Sequence, residues 1–85
     1  MLYEEKPRRV VVHRVERDEW VGIPRDVFRV DYVLFKGNTL HSMDVLVPAR
    51  DEIEVFQKFP RHMKGRYGVT NIEWRIGDFD EATKV

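Results

Sequence analysis

The chain has no cysteine among its 85 residues. Disulfide bonds, zinc sites built on thiolates and cysteine nucleophiles are therefore excluded together. An excess of positive charge is also lacking, because fifteen basic residues balance fifteen acidic ones. This neutral total argues against a protein that binds nucleic acid by bulk charge, although it leaves room for a local basic patch.

Long apolar runs are missing as well. The runs at 10–12 and 45–47 are far too short to span a bilayer, so no membrane association is predicted. The start of the chain carries acidic residues and lacks the apolar segment of a signal peptide, which favours a cytoplasmic location, or the host cytoplasm for a viral gene. No Gly-rich phosphate loop and no G-x-S-x-G elbow occurs, so we expect neither a cofactor nor a catalytic residue.

The residues that are present suffice for one small domain. Hydrophobic residues make up 42% of the chain. A chain of this length buries about 60% of the surface that its unfolded form exposes, so its core is thin. We expect a single domain over 1–85, with a flexible arm at 1–7 and an acidic tail at 78–85 that frays.

The centre of the chain has the pattern of a β-hairpin. Strand-like runs at 27–36 and 39–48 flank Gly37 and Asn38, and such a pair favours a two-residue turn with positive φ. Each residue then faces the one whose number brings the sum to 75. One face of the hairpin is almost wholly apolar and consists of Phe28 with Val47, Val30 with Val45, Tyr32 with Met43, and Leu34 with His41. The opposite face consists of Arg29 with Leu46, Asp31 with Asp44, Val33 with Ser42, and Phe35 with Leu40.

The segments at 8–17 and 69–76 predict two further strands. The first has apolar residues on both faces near its start, which is typical of a central strand. One of its faces is expected to carry Val11, His13 and Val15, and the other Val10, Val12, Arg14 and Glu16. In the last strand, apolar residues alternate with polar ones, which indicates one buried face.

Between the hairpin and the last strand, the apolar period changes to that of a helix. The expected buried positions are Ile53, Phe56, Phe59 and Met63. Asp51 and Glu54 resemble a capping pair at the start of the helix, and Gly65 or Gly68 is expected to end it. Pro60 lies inside the pattern and is expected to kink the helix or divide it.

These elements predict an α+β fold with the order β-β-β-α-β. The sheet is expected to be four-stranded and mostly antiparallel, and the strand order 3-2-1-4 is favoured because the first strand is central. In that order one helix, kinked at Pro60, packs on the face that contains Tyr32. A sheet with strand four beside strand three is the alternative.

The second face of the sheet provides the main functional hypothesis. A single helix cannot cover both faces, so an exposed apolar patch is predicted from Val33, Phe35 and Leu40 near the turn. We expect a homodimer that forms through this face or through a strand edge. Trp20, in the connection at 18–26, either contacts a partner or folds back on the core. That connection, or the tail, is the alternative cover for the patch.

A basic cluster provides an alternative hypothesis. It lies at the C-terminal end of the predicted helix and consists of Lys58, Arg61, His62, Lys64 and Arg66, with Tyr67 beside it. Such a cluster is able to bind phosphates while Tyr67 stacks on a base, which predicts a nucleic-acid-binding domain. The helix dipole also favours cations at this end, so the cluster has a purely structural explanation as well.

The facing pair Asp31 and Asp44 provides a third hypothesis. Two carboxylates across a strand pair repel each other, so either a divalent metal ion or an arginine, Arg29 or Arg14, is expected to offset them. A bound metal would make the protein a metal-dependent enzyme. We favour the arginine, since the acid-x-Lys element of magnesium nucleases does not follow Asp44. The sequence as a whole predicts a non-catalytic interaction module that self-associates and binds an unidentified protein partner through the second sheet face or Trp20.

Overall fold

A computed structural model describes residues 7–18 and 26–77 of the chain. The described elements are β1 (Pro7–Asp18), β2 (Val27–Lys36), β3 (Thr39–Pro48), α1 (Glu52–Tyr67) and β4 (Ile72–Trp74). Their order confirms the predicted α+β arrangement. The predictions for Trp20, for the tail at 78–85 and for the arm lie outside the described residues, except that Pro7 begins β1.

The strands form one four-stranded sheet in the favoured order, β3-β2-β1-β4. The β1–β2 and β2–β3 pairs are antiparallel and β4 is parallel to β1, so the sheet is mixed. β4 is shorter than the strand predicted at 69–76, although the Arg75 N–H donates to the Val12 carbonyl at 2.7 Å just beyond it. β3 and β4 are therefore the two edges of the sheet.

The hairpin of β2 and β3 has the predicted register along its whole length. Every pair adds to 75, from Val27 with Pro48 to Lys36 with Thr39. Gly37 has a φ of 60°, and no described residue other than glycine has a positive φ. Positive φ at the first central position alone is the signature of a type II′ turn, which matches the twist of the flanking strands.

β1 contains a bulge that the alternation of its residues did not reveal. Its register against β2 shifts between Val12 and Arg14, so His13 is the extra residue. Each residue of β1 after the bulge lies on the face opposite to the one that simple alternation gives. Val15, for example, pairs with Val30 on the same face as Val12. The predicted faces are therefore wrong for the residues after His13, because one inserted residue reverses a period of two.

The main core lies between α1 and one face of the sheet, as predicted. It consists of Val10, Val12, Phe28, Val30, Tyr32, Leu34, Val47, Ala49, Val55, Phe59, Met63 and Val69. Tyr32 and Phe59 meet edge to face with their ring centroids 5.3 Å apart. The other face of the sheet, which α1 does not cover, is called the outer face below.

The helix buries a different stripe from the predicted one. Phe59 and Met63 are fully buried as expected, and Val55 completes the stripe. The expectation for Ile53 and Phe56 is wrong, since these side chains are 67% and 39% exposed. A stripe that steps by four residues from Val55 and one that steps by three from Phe56 both contain Phe59, so spacing alone did not separate them.

The ends of α1 agree with the sequence signals. The Asp51 carboxylate accepts a hydrogen bond from the Glu54 N–H at 2.9 Å, and Gly68 ends the helix with a φ of 71°. Pro60 lies inside this one helix, so it does not divide it, and a kink stays a prediction. Among the described residues, α1 is the one helix, and it is too short and too polar to span a lipid bilayer.

Candidate protein interaction surface

The patch predicted near the turn is mostly closed. Val33 is fully buried and Phe35 is 6% exposed, and together with Val11 they form a second small core on the outer face. The guanidinium group of Arg9 lies over the Phe35 ring, 4.4 Å from its centroid. Leu40 remains 40% exposed, so it is the one residue of the predicted patch that is open to a partner.

The strand that carries Leu40 is a long edge strand. β3 has ten residues, it pairs with β2 on one side, and no described strand pairs with its other side. We call this unpaired side of β3 the free edge. β4, at the opposite end of the sheet, has three residues. The free edge is therefore the longest row of unpaired strand backbone within 7–18 and 26–77.

The turn determines which main-chain groups point out of the free edge. In a two-residue hairpin, the residues that flank the turn, here Lys36 and Thr39, form a hydrogen-bonded pair. Hydrogen-bonded and non-hydrogen-bonded pairs then alternate along the two strands. Over 39–47, the N–H and C=O groups that point away from β2 are consequently those of Leu40, Ser42, Asp44 and Leu46, whereas the carbonyl of Pro48 accepts a hydrogen bond from Lys58. We call these four the outward residues.

The free edge also presents apolar side chains. Leu40, Met43 and Leu46 are 40%, 37% and 44% exposed. Leu40 and Leu46 lie on the outer face, whereas Met43 pairs with Tyr32 on the face that α1 covers. Aliphatic side chains therefore occur on both sides of the unpaired backbone.

The free edge has few of the features that usually protect an edge strand from pairing. Edge strands are commonly protected by lysine, by proline or by a bulge. Asp44 is the one charged residue of β3, Pro48 comes only at its end, and the pairing with β2 has no register shift. Over 39–47 the strand is thus regular, nearly uncharged and open to hydrogen bonding.

The facing carboxylates lie where the sequence predicted them. Asp31 pairs with Asp44, and the Nε atom of Arg29 lies 3.6 Å from a carboxylate oxygen of Asp31. Arg29 is therefore close enough to offset the charge of Asp31, whereas Arg14 pairs with Glu16 at 2.7 Å. Among the described residues, no group of three or more histidine, aspartate or glutamate side chains is placed to hold a metal ion.

A shallow groove beside these carboxylates contains a histidine. His13, Asp31, Ser42 and Asp44 line it together with Met43. Burial lowers the pKa of His13, although the Asp31 carboxylate acts in the opposite direction. The imidazole is therefore mainly neutral at neutral pH.

The basic cluster lies on α1, but two of its members have internal partners. The ammonium group of Lys58 contacts Glu54 at 2.8 Å and donates to the Pro48 carbonyl at 2.7 Å. Tyr67 is half-buried, with its hydroxyl group 3.4 Å from that of Tyr32 and with Arg66 over its ring at 5.5 Å. Tyr67 is thus poorly placed to stack on a base.

The other members of the basic cluster are exposed on the C-terminal half of α1; they are Arg61, His62, Lys64 and Arg66. Sequence reasoning found these residues and Leu40, but it missed Met43 and Leu46 as exposed positions. A partial signal was available in the favoured strand order, because the order 3-2-1-4 places β3 at an edge, where its side chains have a neighbouring strand on one side only.

No family model, no curated protein and no solved structure matches this chain. The candidate surface is therefore identified from the structure of β3. It is a regular, unprotected edge strand with exposed aliphatic residues on both of its faces.

Proposed function

We propose that this protein is a small non-catalytic interaction module that self-associates through the free edge of β3. One observation carries the proposal: over 39–47 the edge strand is regular, contains no lysine, no proline and no bulge, and exposes Leu40, Met43 and Leu46. Edge strands of this kind bind a further strand, with main-chain hydrogen bonds supplying affinity and side chains supplying specificity. A second copy of the chain carries the same free edge, so it is able to supply the further strand.

The size of the surface sets the expected affinity. The three aliphatic side chains are already more than half-buried, so completing their burial contributes roughly 1 kcal/mol each. Each main-chain hydrogen bond adds about 1 kcal/mol net. Association must offset a cost of at least about 4 kcal/mol in lost translational and rotational freedom. A pair of identical chains buries these side chains from both copies and forms several main-chain hydrogen bonds, so the balance lies within a few kcal/mol of the roughly 8 kcal/mol that corresponds to a micromolar dissociation constant.

Sedimentation equilibrium tests this proposal. The average mass of the wild-type chain should rise toward twice its monomer mass of 10.2 kDa as the concentration increases from about 1 to 200 µM, a range that covers micromolar dissociation constants. Leu46→Lys should weaken association at least roughly tenfold, since it removes an apolar contact and adds a protective lysine at the edge.

A matched control separates the free edge from exposed apolar residues in general. Ile53→Lys makes the same kind of substitution at a 67% exposed site on α1, so it should leave association unchanged. Circular dichroism verifies that both variants are folded. A wild-type chain that remains monomeric at about 200 µM, well above a micromolar dissociation constant, contradicts the proposal, as do equal effects of the two lysines.

The two alternative functions receive less support from the geometry. Nucleic-acid binding has the exposed Arg61 and Lys64 in its favour, but Tyr67 is held against Tyr32. It stays a prediction, and retention of a nucleic-acid probe at about 50 mM salt that falls steeply at higher salt would support it. Metal-dependent catalysis at Asp31 and Asp44 also stays a prediction, and calorimetry with Mg²⁺ or Mn²⁺ tests it.

A further inference from the structure

We infer that two copies of the chain pair in antiparallel orientation through β3, with a two-fold axis beside Met43. This pairing rests on the proposed function, because it requires the free edge of β3 to be the surface that self-associates. What it adds is the register, which determines the residues of the two copies that face each other. A residue of β3 then faces the residue of the second copy whose number brings the sum to 86.

The main chain limits the possible registers. Hydrogen bonds across the free edge form only where outward groups of one copy meet outward groups of the other. The outward residues, Leu40, Ser42, Asp44 and Leu46, all have even numbers, so an allowed register pairs even with even. Each allowed register of two identical strands places the two-fold axis beside one residue of β3.

The side chains select one of these registers. With the axis beside Met43, Leu40 of each copy faces Leu46 of the other, and Ser42 of each copy faces Asp44 of the other. The leucines form an apolar cross-strand pair, and the serine hydroxyl is able to donate a hydrogen bond to the carboxylate. All four outward residues then have a partner of matching chemistry.

Neighbouring registers do not achieve this match. An axis beside Asp44 places two carboxylates directly opposite each other, which is a destabilising pair. An axis beside Ser42 places Leu40 opposite Asp44, and an axis beside Val45 places Asp44 opposite Leu46. Axes farther along the strand pair fewer outward residues.

In the selected register, Met43 faces its own copy across the axis. Its main-chain groups point toward β2, so the two Met43 residues form a non-hydrogen-bonded pair with Cα atoms about 4.5 Å apart. Met43 is 37% exposed in the single chain, which leaves its side chain accessible for this contact. The two four-stranded sheets merge into one continuous sheet with both helices on the same face.

Disulfide trapping tests the register directly, because the natural chain has no cysteine. Oxidised Met43→Cys should form a covalent dimer, since a Cα separation of about 4.5 Å lies within the range of disulfide bonds. The matched control is His41→Cys, on the same face of β3. In this register the two His41 positions are offset by four residues, about 14 Å along the strand, so this variant should not form a dimer.

A mixed reaction provides the complementary test. His41 of each copy faces Val45 of the other, so an equal mixture of His41→Cys and Val45→Cys should form the mixed disulfide, although neither variant does so alone. Non-reducing gels and mass spectrometry identify the products, and circular dichroism verifies the fold of each variant. Trapping of Met43→Cys and of the mixture, without trapping of His41→Cys alone, supports the register.

The two possible failures are distinguishable. If sedimentation shows a dimer that Leu46→Lys disrupts, but Met43→Cys does not trap or His41→Cys traps equally well, the register is wrong and the proposed function stands. If the wild-type chain remains monomeric at about 200 µM, far above a micromolar dissociation constant, the register and the proposed function fail together.

Discussion

Ser42→Asp should weaken self-association roughly tenfold if the register is correct. Residue 42 then faces Asp44 of the second copy in a hydrogen-bonded pair, with Cα atoms about 5.5 Å apart. At about this distance, two unit charges repel each other by roughly 0.8 kcal/mol in a medium of dielectric constant about 80. The two-fold axis repeats the pair, so the total is about 1.5 kcal/mol, which corresponds to the tenfold change in the dissociation constant.

The double variant Ser42→Asp with Asp44→Ser makes this test specific. It restores a serine–aspartate pair with the two side chains exchanged, so its dissociation constant should return to within about threefold of the wild type. Sedimentation equilibrium at low and high salt is the assay, and the defect of Ser42→Asp should shrink at high salt because exposed charges are screened. A double variant as weak as the single one, or an unaffected single variant, would refute the register.

Three further predictions concern the stability of the single chain and are checked by urea unfolding. Phe59→Ala should cost about 3–5 kcal/mol because Phe59 is fully buried, whereas the control Phe56→Ala, at a 39% exposed position, should cost clearly less. Glu54→Gln should be less stable at pH 7, since hydrogen bonding, first from Lys58, lowers the pKa of Glu54 from 4.5 to about 2. That contribution is present above pH 4.5 and is lost as the pH falls toward 2, so a difference that persists at about pH 2 would contradict it. Gly68→Ala should cost about 1 kcal/mol, because Gly68 ends α1 with a φ of 71°, and a neutral result would count against this explanation.

The hairpin could be predicted in detail because two independent signals agree there. The turn residues Gly37 and Asn38 set the register, and a slip of one residue would turn the apolar face outward. The strand order was predictable because β1 begins with apolar residues on both faces, which suits a central strand. These features depend on local sequence, and the structure confirms them.

The parts that were missed depend on tertiary context. The bulge at His13 has no local sequence signal, yet it moves Val15 to the opposite face of β1. The helix buries Val55 in place of the larger Phe56. Both residues lie at helical spacing from Phe59, so the spacing of apolar residues did not decide which of them faces the sheet.

The candidate surface was predicted only in part for the same reason. Leu40 is open as expected, but Val33 and Phe35 belong to a second small core on the outer face. Met43 was placed by its pairing on the apolar face of the hairpin, and its exposure follows only from the position of β3 at the edge. An apolar pattern shows which side chains share a face, but it does not show how far the neighbouring elements extend over them.

Amide hydrogen exchange along β3, followed by NMR at low and high protein concentration, tests most directly whether the free edge is the surface of self-association. The N–H groups of Leu40, Ser42, Asp44 and Leu46 should exchange rapidly in dilute solution and become protected as the dimer forms, whereas that of Met43, bonded to β2, should be protected throughout. If the four outward amides still exchange rapidly at the highest concentration, association through the free edge of β3 is contradicted.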